Sequence, residues 1–127
     1  MSETLTITET AKQYVNAFRN VNPKLIDKHF IPTAFKTGYF YDYDNKIWAP
    51  LSLHSFEQMR EWTKTYNING IMPNSEIETT LLDQQEKMAV VKIIAEWASG
   101  VIGCDYIILL KQEKEWLISA VYWQSIA

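Results

Sequence analysis

Met88-Ala-Val-Val-Lys-Ile-Ile-Ala-Glu-Trp-Ala98, Cys104-Asp-Tyr-Ile-Ile-Leu-Leu-Lys111 and Trp116-Leu-Ile-Ser-Ala-Val-Tyr-Trp-Gln124 decide the fold class of this chain. All three are rich in the β-branched and aromatic residues that suit a pleated surface. Turn signals separate them: a polar stretch from Asp83 to Lys87, the Ser99-Gly100 and Gly103 breaks, and the charged Gln112 to Glu115. Consecutive strands with such short joints predict an antiparallel meander. A further strand precedes it, because Ile77, Thr79 and Leu81 alternate with Glu76, Glu78 and Thr80. The long strands are apolar on both faces apart from Lys92 and Glu96. Both faces therefore need cover. Helices of the same chain are expected on one face, and a second copy, in a homodimer, on the other.

Upstream, the period changes from two to 3.6. Ala11, Tyr14, Val15, Phe18 and Val21 form one apolar stripe. Thr6-Ile-Thr-Glu9 ahead of them has the form of a capping box. Asn22-Pro23 begins a second, short helix, with asparagine as cap and proline at its first position. Leu25, Ile26, His29 and Phe30 give that helix its inner face, and Pro32 is expected to end it. From Thr33 to Leu51 the chain reads as a hairpin, with Phe35, Tyr39, Phe40, Tyr41 and Tyr43 outbound, a turn at Asp44-Asn45, and Ile47-Trp48 returning. Ser52 is expected to cap a third helix carrying Phe56, Met59, Trp62 and Tyr66, and Asn67 to Asn74 is a loop. No repeat or linker interrupts residues 1–127, which read as one domain.

Composition excludes several classes. The chain is 47% hydrophobic and 21% charged, as ordinary globular proteins are, and has a net charge of −3. Its basic residues are interleaved with acids, as in Lys111-Gln-Glu-Lys-Glu115, so no nucleic-acid partner is expected. No stretch approaches the roughly 20 apolar residues of a membrane span, and the first ten residues lack the form of a signal peptide. The one cysteine, Cys104, suits a reducing compartment, and a cytoplasmic location is expected.

The element order, three helices, a hairpin and then a meander, resembles the nuclear transport factor 2-like superfamily. Gln13-Tyr-Val-Asn-Ala-Phe18, followed by Asn22-Pro-Lys-Leu-Ile-Asp-Lys-His-Phe30, is similar to the start of these proteins. Leu51-Ser-Leu-His-Ser-Phe56 resembles their capped third helix. Asp105-Tyr-Ile-Ile-Leu-Leu-Lys111 with Glu115-Trp-Leu-Ile-Ser119 resembles the paired C-terminal strands of the lumazine-binding-like branch, close to the polyketide-cyclase-like proteins and distantly related to ketosteroid isomerase. The resemblance implies an α+β fold, a cystatin-like roll. In it a cone-shaped, curved, mixed but mostly antiparallel sheet packs on three N-terminal helices. It also implies a pocket in the cone. Beside the isomerase pattern, Tyr14 matches the tyrosine of the first helix and Asp105 the protonated acid. Gly38 stands where the proton-moving aspartate is expected.

The residues themselves weigh the site. Tyr14 is either a core phenol or a donor into a cavity. Asp105 shares strand parity with Ile107 and Leu109, so a buried carboxyl there must be paired or neutral. Tyr14, Phe18, Phe30, Phe40, Trp48, Trp62, Trp97, Tyr122 and Trp123 fall on elements expected to wall the pocket, and aromatic walls with few polar groups are how small-molecule sites are built. His29, His54 and Cys104 share no ligand spacing, so no metal site is expected and no cofactor is implied. Cys104 reads as a small core residue, and the part played by Glu96 is left open between pocket mouth, dimer surface and solvent. Asp42-Tyr-Asp44-Asn45 fails as a calcium loop, because Lys46 and Ile47 stand where an oxygen ligand and glycine are required. Two functions stay open. One is a non-catalytic or accessory domain binding a small apolar or aromatic molecule; the other is a cofactor-free isomerase, cyclase or dehydratase that stabilises an enolate with Tyr14 and Asp105.

Overall fold

The computed structural model describes residues 2–127. Helix α1 (Glu3–Arg19) begins at Ser2, whose Oγ accepts from the Leu5 amide at 3.2 Å. The helix thus starts one turn before the expected capping box: Thr6 turns its hydroxyl to the Ser2 carbonyl instead. The predicted stripe is extended by Ile7 and Ala17, which are buried with Ala11, Tyr14, Val15 and Phe18. Val21 lies beyond the helix, in the left-handed region at φ +50°. Asn22 caps helix α2 (Pro23–His29) with its side chain on the Lys24 amide, and Pro23 takes the first position.

Pro32 does not terminate α2 but lies inside strand β1 (Phe30–Tyr39). The residue before a proline avoids helical backbone, so the chain is already extended at Ile31. Proline also has no amide to give a ladder. The register between β1 and the last strand shifts between Phe30 and Phe35. The predicted hairpin shrinks to β2 (Tyr41–Asp42) and β3 (Ile47–Trp48), closed by Asp42 carboxylate bonds to the Asp44 and Asn45 amides. Ser52 opens a strand, β4 (Ser52–Ser55), rather than a helix. Ser55 caps helix α3 (Phe56–Thr63) in a full capping box with Gln58.

Strands β5 (Glu78–Gln84), β6 (Met88–Ala98), β7 (Val101–Gln112) and β8 (Glu115–Ser125) complete a six-stranded sheet in the order β4-β1-β8-β7-β6-β5. All neighbours are antiparallel except β1 and β8. Gly103 does not break the sheet; it lies within β7. The β6–β7 turn is made by Ser99-Gly100, with Gly100 at φ +76°, and Glu96 Oε2 accepts from the Gly100 amide at 2.9 Å. That bond gives Glu96 a place as a turn cap. The three helices pack on one face, over Val91, Ile93, Ala95, Ile107, Leu109, Ile118 and Val121. The opposite face carries Phe35, Tyr106, Ile108, Leu110, Leu117 and Tyr122, half-buried or exposed. No helix among the described residues is long and apolar enough to cross a membrane.

Candidate functional site

The inner face of β1 is Ala34, Lys36 and Gly38, all buried; the large residues Phe35 and Tyr39 face away. Gly38 must be small, because a Cβ there would fall 2.0 Å from the Trp123 carbonyl oxygen and 2.6 Å from its indole. Lys36 reaches inward between these small neighbours and is only 4% exposed. Five rings surround its ammonium, with centroids at 4.6 Å (Tyr14), 4.9 Å (Trp123), 5.0 Å (Trp97) and 5.8 Å (Phe18 and Trp62). Each aromatic face can contribute roughly 0.5–2 kcal/mol to holding a cation.

The polar partners come from two other elements. Lys36 Nζ donates to the Tyr14 hydroxyl, and that hydroxyl donates to Asp105 Oδ2 at 2.9 Å. The ammonium itself is 3.9 Å from Asp105 Oδ2. Asp105, on β7, is 1% exposed, and its Oδ1 has no hydrogen-bond partner among the described residues. Helix, edge-side strand and central strand thus meet in a chain Lys36–Tyr14–Asp105.

Burial lowers the Lys36 pKa from 10.5 to about 8, against the attraction of the Asp105 carboxylate. Burial raises that of Asp105, although the Lys36 charge and the Tyr14 hydrogen bond pull it down. Tyr14 is held neutral: burial first, and then the Asp105 charge, push its pKa well above 10.0. An ammonium with a carboxylate, and an amine with a carboxylic acid, carry the same number of protons. One proton passing through the Tyr14 hydroxyl interconverts the two states. The two groups are coupled through that hydroxyl.

In front of Lys36 lies a cavity of about 160 Å³. Phe18, Trp62, Tyr66, Trp97 and Trp123 wall it, and Phe40, Val101, Ile102, Gly103 and Ser125 complete it. Edge-on contacts lock the rings together, as in Phe18 on Trp62 (5.5 Å) and Phe18 on Trp97 (5.4 Å). The Tyr66 hydroxyl is spent on the Trp97 carbonyl at 2.9 Å. Trp123 Nε1 is buried without a partner among the described residues. Among the described residues, Lys36 is the one charged residue of the lining.

The structure brings Phe18, Phe40, Trp62 and Trp97 to this cavity. Tyr14 and Asp105 face one another behind it, with Lys36 between them and the open space. Phe30 is buried behind the Tyr14 ring, at 6.3 Å, and does not line the cavity. Two further aromatic positions need correction. Trp48 is 49% exposed on the small hairpin, where it packs on Tyr41 at 5.1 Å and lines a shallow surface depression with Tyr39 and Gln124. Tyr122 is 46% exposed on the opposite sheet face, against Phe35 at 5.7 Å. A bulge explains it: the β7–β8 register shifts between Ile108 and Leu109, burying both Ala120 and Val121, and every later residue changes face. Trp123 takes the inner position instead. His54 is half-buried on β4, stacked on Trp62 at 4.7 Å, and burial followed by the Lys36 charge lowers its pKa. No cluster of metal-ligating side chains occurs among the described residues.

The family described as "Putative lumazine-binding" matches residues 2–124. No curated protein sequence matches the chain. Among solved structures it is similar to an NTF2-like protein of unknown function from Silicibacter pomeroyi, at 15% identity and TM-score 0.73, with 99% of this chain and 100% of that one covered. An NTF2-like protein of unknown function from Methylobacillus flagellatus is similar at 21% identity and TM-score 0.66, with 100% and 96% covered. A ketosteroid isomerase-like protein from Erwinia carotovora atroseptica is similar at 14% identity and TM-score 0.64, with 100% and 99% covered. At such identities the likeness is one of fold. The match over residues 2–124 assigns the chain to the Putative lumazine-binding family, and the helices on a curved sheet give it a nuclear transport factor 2-like fold.

Proposed function

We propose that this protein binds a small, flat, largely apolar molecule carrying one hydrogen-bond-accepting oxygen, and that the oxygen docks on Lys36. The observation that carries this reading is a buried ammonium, that of Lys36, ringed by aromatic side chains in a largely aromatic cavity. The volume is close to the roughly 150 Å³ of an apolar cavity that accepts benzene, so one substituted ring fits. The reading is of a binding domain without a cofactor. Enolate stabilisation by Tyr14 and Asp105 alone is the weaker reading, because the Tyr14 proton is already given to Asp105 and Lys36 stands in front of both.

A panel of para-substituted phenols and the matching toluenes tests this, read by quenching of Trp62, Trp97 and Trp123 fluorescence. Phenols should bind more tightly by roughly 10- to 150-fold, as about 1.5–3 kcal/mol for a hydrogen bond to a charged group implies. Lys36→Met should erase the difference while leaving the toluenes bound. Equal affinities in the wild type would remove Lys36 from the site. We propose further that the protein is a homodimer through the outer sheet face, where Phe35, Tyr106 and Tyr122 lie uncovered. A cytoplasmic location and the absence of a nucleic-acid partner belong to the same reading.

A further inference from the structure

We infer that Lys36 captures a small aromatic aldehyde covalently, forming an imine at the base of the cavity. This rests on the reading that the cavity takes a substituted ring, and it names the chemical class of the ligand. Three observations lead to it. Lys36 lines the cavity, whereas Asp105, its one anionic neighbour among the described residues, lies 3.9 Å from the ammonium and does not line it. The Tyr14 hydroxyl touches Lys36 and is 2.9 Å from the Asp105 carboxylate, so a proton has a two-bond route off the nitrogen and back. The cavity walls are rings, which stack on an aryl group and exclude the water that would hydrolyse an imine.

The step balances within the site. The Lys36 proton moves through the Tyr14 hydroxyl to Asp105, leaving a neutral amine and a carboxylic acid. The amine lone pair attacks the aldehyde carbon, the C–N bond forms, and the carbonyl π pair goes to oxygen. A proton passing from nitrogen to that oxygen gives the carbinolamine. Asp105 then returns its proton through Tyr14, the hydroxyl leaves as water, and the nitrogen lone pair closes the C=N bond. An iminium replaces the ammonium opposite the same carboxylate, so the buried charge is unchanged from start to finish. Neither an oxidant nor a reductant is consumed. The depressed pKa of Lys36, about 8, supports the step, because at neutral pH about a tenth of such an amine is free, against well under a thousandth for an exposed lysine.

The probe is benzaldehyde with cyanoborohydride, added to the full chain at neutral pH and read by intact mass and peptide mapping. One benzyl group per chain should appear, on the peptide containing Lys36, at least about tenfold faster than on any other lysine. Toluene in excess should slow it. Lys36→Met and Lys36→Arg should each lose the fast adduct, and Tyr14→Phe should slow it several-fold while leaving toluene binding intact. Labelling of Lys36 no faster than of exposed Lys24 or Lys28 overturns the inference. Toluene binding, measured separately by tryptophan quenching, then distinguishes the failures. If toluene still binds, the cavity reading stands and only the imine falls; if it does not, both fall.

Discussion

Replacing Lys36 with methionine removes the buried amine at nearly constant volume and gives the electrostatics a direct reading. Folding lowers the pKa of this lysine from 10.5 to about 8. Between those values the unfolded chain still holds a proton that the folded chain has released. Stability therefore rises with pH across that window, by up to about 1.4 kcal/mol per pH unit and about 3 kcal/mol in all. Below about pH 8 both states hold the proton, and the full penalty for burying the charge is present. The methionine variant has no amine to titrate and should lack the rise. Urea unfolding of both proteins at several pH values from about 7 to 10.5 measures it as the stability of wild type minus that of the variant. Taking the difference removes what is common to both proteins. Asp105 loses a neighbouring positive charge in the variant, which raises its pKa further, so the comparison is repeated with Asp105→Asn in both proteins. Two parallel stability curves above pH 8 would refute the argument, since they would mean that Lys36 titrates as an exposed lysine does.

Tyr14→Phe should cost about 1–3 kcal/mol in urea unfolding, because it leaves both Lys36 and Asp105 Oδ2 without the bridging hydroxyl; a loss below about 0.5 kcal/mol would show the bond to be idle. Gly38→Asp supplies no base: even Gly38→Ala should destabilise by about 1–3 kcal/mol, since the new methyl meets a backbone carbonyl and an indole, and unchanged thermal stability would contradict that crowding. Light scattering on a sizing column should give close to twice 14.8 kDa at micromolar protein, and a monomer throughout that range would rule out the outer-face dimer.

Much of the fold was legible because hydrophobic period and turn chemistry agree. The bounds of β6, Met88 to Ala98, follow directly from its composition, as does the Asn22-Pro23 start of α2. Helix starts were less certain where two capping residues compete. Ser52 and Ser55 both precede the apolar stripe of α3, and the residue that decides is Gln58, three beyond Ser55, which returns the bond. Ser2 likewise displaces Thr6, because the apolar stripe continues back to Ile7. Parity, by contrast, was readable only within unbroken strands. In β8, Trp116, Ile118 and Ala120 are all buried, so alternation points Tyr122 inward. One extra residue at the bulge sends it outward and brings in Trp123.

The site was half legible. Asp105 follows from parity with Ile107 and Leu109, and Tyr14 from the helix stripe, but their meeting across 91 residues does not. Lys36 was missed for a physical reason. On β1 the aromatic residues Phe35 and Tyr39 sit on the face away from the helices, so hydrophobicity assigns the strand the wrong way round. The signal that could have found it is the run of small inner residues, Ala34 and Gly38, on either side. Small neighbours leave room for crossing rings, and a long cation is the side chain that spans the gap.

Energetics sharpen what such an arrangement is for. A buried ion pair is a weak source of stability, and well-packed apolar residues in its place are often neutral or stabilising by about 1–4 kcal/mol. Here the pair is weaker than most, with 3.9 Å between nitrogen and oxygen, one carboxylate oxygen unpartnered, and both pKa values moved toward the neutral forms. Core packing therefore does not account for it, and neither does the register of the sheet, which its ladder bonds and bulges already fix. What the trio supplies is a cation at the end of an aromatic cavity, with a proton route behind it. That combination is costly to a fold and useful to a site, so the energetic argument and the geometric one both favour Lys36 as the anchor of the ligand we propose.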